Sequence, residues 1–140
     1  MKEIVLDAKR ENLPQLFEFL TKTLREYSDD EKSIRKVKLC VEEAFMNIAN
    51  YAYNPEVGPA KVSVTALGDP YPLRVQVVFT DKGKPFNPLK AETPDVESDA
   101  EGRLVGGLGI FLIKKEMDDI TYEYKDGQNI LTLEKKFDKV

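Results

Sequence analysis

The chain has 140 residues, is 41% hydrophobic and 33% charged, and carries a formal net charge of −4. That length suits one domain over residues 1–140 with its own core, and Lys and Arg are spread too evenly to form a basic nucleic-acid patch. There is no histidine and Cys40 is the only cysteine, so a Ser-His-Asp triad, a Cys-His pair, a His-bound metal, a phosphohistidine relay and an internal disulfide are all excluded.

Ile4-Val5-Leu6 predicts a short strand. Asn12 is placed to cap a helix that runs to about Tyr27, with Pro14 in its first turn, where a missing N–H costs little. Leu13, Leu16, Phe17, Leu20 and Leu24 give that helix one apolar face. A second helix starts within Ser28 to Glu31 and carries Ile34, Val37, Val41, Ala44, Phe45, Ile48 and Ala52 at helical spacing; Asn54-Pro55 stops it. Lys61 to Leu67 and Leu73 to Thr80 alternate as strands about a Gly68-Asp69-Pro70 turn. Residues 87–105 lack periodicity and predict a loop. Ile110 to Met117 is a helix after a glycine cluster. Ile120 to Tyr124 and Ile130 to Lys136 form a hairpin around Asp126-Gly127. Hairpins interleaved with helices predict an α+β fold, a two-layer sandwich. No apolar run approaches a membrane span and Met1-Lys2-Glu3-Ile4 has no secretory pattern, so the expected setting is cytoplasmic, with no membrane partner.

Three segments carry candidate chemistry. Glu43, Asn47, Asn50 and Asn54 recur at i, i+4, i+7 and i+11, on one stripe roughly opposite the apolar face of the second helix. Such a stripe is either a solvated face or the wall of a partly buried site. The flanking Met46, Ala49, Tyr51 and Tyr53 favour the wall. Glu43 could then orient or deprotonate a nucleophile, and Asn47 could offer a neutral oxygen to Mg²⁺. Next, Thr80-Asp81-Lys82-Gly83-Lys84-Pro85-Phe86 follows a hydrophobic strand directly. Asp81 can accept from an exocyclic amine and Gly83 permits close backbone approach, although an ordinary turn reads the same way. Third, Gly106-Gly107-Leu108-Gly109 opens a helix, which is either a phosphate cradle or a hinge. Neither a P-loop nor a complete Gly-x-Gly-x-x-Gly is present.

Taken in order, these segments resemble the GHKL ATPase superfamily, and within it the small bacterial anti-sigma factor serine kinases. The resemblance runs from Ile4 to Lys136. Glu43-x-x-x-Asn47 matches the N box, Asp81-x-Gly83-x-Pro85-Phe86 the first glycine box, and Gly106-Gly107-Leu108-Gly109 with Ile110-Phe111-Leu112-Ile113 the second. It implies a Bergerat-fold domain, a mixed and mostly antiparallel sheet with helices on one face. It implies Glu43 as catalytic base, Asn47 as the protein ligand to Mg²⁺, Asp81 and Gly83 at adenine, and Gly107 and Gly109 at phosphate. Asn50, Pro85, Gly106 and Leu108 complete the nucleotide-site candidates, and residues 87–105 become a lid. The implied activity is ATP-dependent phosphorylation of a serine on a STAS-type anti-anti-sigma protein. Sequestration of a sigma factor, a PP2C-type phosphatase acting on the same STAS protein, and a homodimer go with it. An ATP-gated partner-binding module without useful kinase activity is the alternative. Tyr51 stands where these kinases commonly carry His, Met46 where Ser or Thr often precedes the Asn, and Phe17 near the position of a partner-binding Arg. The acids Glu92, Asp95, Glu97, Asp99 and Glu101 read as a solvated loop, Arg103 as a phosphate candidate, and Tyr122 and Tyr124 as packing residues.

Overall fold

Alternating side chains in the strands and a 3.6-residue period in the helices place one apolar set on each side of a single interface. In the computed structural model, which describes residues 1–68, 72–90 and 110–138, that interface joins a five-stranded sheet to a helical layer. The strands are β1 (Lys2–Asp7), β2 (Pro59–Leu67), β3 (Arg74–Asp81), β4 (Asp119–Lys125) and β5 (Gln128–Lys136), in the order β1-β2-β3-β5-β4. All four pairings are antiparallel. The α+β expectation holds, and the sheet, expected to be mixed and mostly antiparallel, is antiparallel throughout these pairings.

Register lines up the inward side chains in rows across the sheet. One row is Val64, Val77, Leu133 and Ile120; the next is Ile4, Val62, Phe79, Leu131 and Tyr122. Against them pack Leu16, Leu20 and Leu24 of α1 (Leu13–Tyr27) and Val37, Val41, Ala44 and Phe45 of α2 (Glu31–Asn47). Burying each such side chain contributes about 1.5–3 kcal/mol. A third helix, α3, occupies residues 110–116 and buries Ile110 and Ile113 in the same core. The opposite sheet face is more open: Val5 is 61% exposed.

The caps follow local chemistry with one change. Asp30 caps α2, its carboxylate accepting from the Ser33 N–H at 3.2 Å. Asn12 precedes α1 as expected but makes no side-chain cap; its Nδ2 donates instead to the Asp7 carbonyl at 2.7 Å, tying β1 to the helix start. The β4–β5 turn uses Asp126 and Gly127 at φ 54° and 76°, the left-handed pair that a tight hairpin needs.

The second helix departs from its expected course at the end that matters. Regular α-helix stops at Asn47, and Ile48–Ala52 forms a wider π-helical turn. Ile48 and Ala52 are buried, Tyr51 is half-buried and Asn50 faces solvent. The four-residue polar stripe is therefore not one continuous face. Asn47 lies on the buried side with Ala44 and Ile48, whereas Asn50 and Asn54 turn outward. A π-turn adds a residue to the ring closed by each hydrogen bond, which shifts every later side chain around the axis.

Candidate functional site

Where α2 passes over the ends of β3 and β5, the apolar rows stop and polar residues take their place. The row Leu6, Ala60, Asp81, Asn129 and Tyr124 puts a carboxylate opposite an amide on neighbouring strands, both facing the helix layer. Above them lie Ala44, Asn47, Ile48 and Ala52. Phe86, Pro88, Tyr122 and the core side chains Phe79 and Leu131 complete the lining of a small pocket open to solvent. It is mostly apolar with a few convergent polar groups, the usual character of a site for a flat organic ligand.

Asp81 is the deepest charge, 5% exposed at the end of β3. Its Oδ1 accepts from the Gly83 N–H and from Asn129 Nδ2, each at 2.9 Å. Both hydrogen bonds found for this carboxylate among the described residues thus fall on one oxygen, and Oδ2 is left as an acceptor for something else. Asn47, 9% exposed, lines the same pocket, and its Nδ2 is buried with no hydrogen-bond partner among the described residues. An orphaned amide costs folding free energy, about 1–3 kcal/mol, and persists where a ligand satisfies it. Rotation about its last bond would present the carbonyl oxygen in the same place.

One turn earlier, Glu43 is half-buried. Burial raises its carboxyl above the ordinary value and the neighbouring Glu42 raises it further, which suits a proton acceptor working near neutral pH. Cys40, by contrast, is no nucleophile: burial, with Glu116 adding to it, pushes its thiol up to about 12.

The segment after Asp81 is held from three sides. Lys82 donates its N–H to the Tyr53 hydroxyl at 2.8 Å, and that hydroxyl donates to the Pro59 carbonyl at 2.7 Å. Lys84 donates its N–H to the Ala52 carbonyl at 2.9 Å. Asn129 Nδ2 donates to the Lys84 carbonyl at 2.9 Å and more weakly to Gly83 at 3.4 Å, while its Oδ1 accepts from the Phe86 N–H at 3.1 Å and from the Tyr122 hydroxyl. At Gly83 the expected close approach is present, but to protein: an added Cβ would stand 2.3 Å from the Ala52 carbonyl oxygen. Phe86, at the pocket rim, stacks on Tyr51 with ring centroids 5.2 Å apart.

Asn47, Asp81 and Gly83 are thus brought together, with Glu43 one helical turn away. Asn50 and Pro85 are exposed and do not line the pocket. Gly106, Gly107, Leu108 and Gly109, with most of the lid, lie outside the described residues. Tyr122 packs as expected and also lines the pocket, whereas Tyr124, expected to pack, is 46% exposed. Asn129 and Tyr53 were not among the candidates. The signal for Asn129 is a polar residue at the inward parity of Leu131 and Leu133; Tyr53 offers none, since its partners are distant in sequence.

These features define a histidine-kinase-like ATPase domain, and the family model for that domain matches residues 6–135. The chain belongs to this family. It is similar to the serine-protein kinase RsbW of Bacillus cereus (strain B4264), at 31% identity over 102 residues, covering 70% of this chain and 61% of that protein. It is similar also to RsbW of Bacillus mycoides (strain KBAB4), at 31% over 99 residues (68% and 59%). The serine/threonine-protein kinase BtrW of Bordetella bronchiseptica (strain ATCC BAA-588 / NCTC 13252 / RB50) matches at 30% over 95 residues, 68% of this chain and 65% of that protein. The chain spans less than two thirds of the length of these relatives. No helix among the described residues is long and apolar enough to cross a membrane.

Proposed function

We propose that this chain is a Mg²⁺- and ATP-dependent protein serine kinase acting in a partner switch, with a STAS-type anti-anti-sigma protein as its substrate and a sigma factor as its second partner. The observation that carries the reading is the pairing of a buried, unsatisfied Asn47 amide with the half-free Asp81 carboxylate across one apolar pocket, beside a Glu43 whose carboxyl is raised. The purine occupies the apolar pocket with its exocyclic amine donating to Asp81 Oδ2. Its phosphates extend along α2 toward Glu43. Among the described residues no group of three or more His, Cys, Asp or Glu is placed to hold a metal. With its amide turned, Asn47 would offer its carbonyl oxygen to a magnesium ion, with phosphate oxygens as the other ligands, and the ion would neutralise phosphate charge.

Glu43 takes the proton of the partner's serine hydroxyl as that oxygen attacks the terminal phosphorus. The bond to the bridging oxygen breaks, leaving ADP and a phosphoserine. The test is incubation with labelled ATP and recombinant STAS proteins. Transfer to serine by wild type, lost on Glu43→Ala with ATP affinity kept, supports the reading. Transfer that survives Glu43→Ala contradicts it, and ATP-dependent partner binding with no transfer identifies a binding module instead.

A further inference from the structure

We propose that Asn129 is the positioning residue that aims Asp81 and thereby sets purine selectivity; this rests on the nucleotide reading above. Asn129 is 5% exposed and sits directly across from Asp81 in the β3–β5 ladder. One hydrogen of its Nδ2 goes to Asp81 Oδ1 at 2.9 Å, and the other to the Lys84 carbonyl at 2.9 Å with Gly83 at 3.4 Å. Its Oδ1 accepts from Phe86 N–H and from the Tyr122 hydroxyl. The amide cannot turn over without breaking all of these, so its orientation is set by the network.

The consequence falls on Asp81. Gly83 N–H alone would leave the carboxylate free to rock about a single contact. With Asn129 added, two donors converge on Oδ1 from different elements and hold the carboxylate plane, and neither of these bonds engages Oδ2. A fixed carboxylate acceptor matches the 6-amino group of adenine and sets acceptor against acceptor at the 6-oxo group of hypoxanthine or guanine. Selectivity therefore depends on an amide that lies 48 residues from Asp81 in the chain.

The test is calorimetry with ATP and with inosine triphosphate, in which an oxo group replaces the 6-amino group and N1 carries a proton, on wild type, Asn129→Asp and Asn129→Ala, with a thermal melt of each. Wild type should prefer ATP by roughly 100-fold. Asn129→Asp replaces the donor with a second acceptor that repels Asp81, and Asn129→Ala removes one of its two anchors. Both should cut the preference below about 10-fold, beyond any common loss of affinity. If Asn129→Asp does not fold, Asn129→Ala carries the test. If the variants weaken both nucleotides by the same factor, or change neither, Asn129 only supports the loop and the assignment is overturned. If wild type binds neither nucleotide at millimolar concentration, the nucleotide reading itself fails.

Discussion

Glu43 and Asn47 both stand in places that are poor for folding, and this is the strongest residue-level argument that they serve a ligand. Burial raises the Glu43 carboxyl, so the folded chain holds this proton more tightly than the unfolded chain does. Its contribution to stability is full below the ordinary carboxylate range and is lost as pH rises through the raised value. Glu43→Gln should therefore raise the melting temperature at pH 7 and leave it unchanged near pH 4, as scanning calorimetry at the two values will read. The proposed phosphotransfer has the opposite sign. It needs the ionised form, so its acid limb should fall above the ordinary carboxylate range and should vanish with the activity in the Gln variant. Asn47→Ala removes the unpaired amide and should hold or raise stability while weakening Mg²⁺-dependent ATP binding by on the order of 10-fold or more. Gly83→Ala forces a methyl into the Ala52 carbonyl, and backbone on both sides gives way poorly; a loss of about 1–3 kcal/mol in denaturant unfolding is expected.

At the scale of elements, the π-turn at Ile48–Ala52 and the segment after β3 form one unit, joined by Ala52, Tyr53 and Gly83. Tyr53→Phe keeps the ring, which packs so closely on Gly58 that a Cβ there would lie 2.4 Å from it, but removes the hydroxyl bridge between Lys82 and Pro59. A loss of about 1–2 kcal/mol in unfolding free energy, with weaker ATP binding, is the expected result. What was readable from sequence follows the range of the interactions. Strand alternation and the apolar stripe of α2 are local patterns, and both elements formed as the patterns require. A 3.6-residue period extended through Ile48–Ala52 puts Asn50 on one stripe with Asn47, whereas across the π-turn Asn50 faces solvent. Tyr53 and Asn129 act on a loop 29 and 48 residues away, through pairings that no local pattern encodes.

For the whole molecule, the sheet and α2 share one core and the site lies along the line where they part. The core residues Phe45, Val62, Val77, Phe79 and Leu133 are almost wholly buried, and Phe79 also lines the pocket. The proposed function requires that one pocket between α2 and the β3–β5 ladder hold Mg-ATP. Amide and side-chain NMR spectra recorded during a Mg-ATP titration test it most directly. Saturable shifts concentrated on Asn47, Asp81, Gly83, Phe86 and the side-chain amides of Asn47 and Asn129 are expected. No shift at millimolar nucleotide, or shifts confined to a different face, would contradict it.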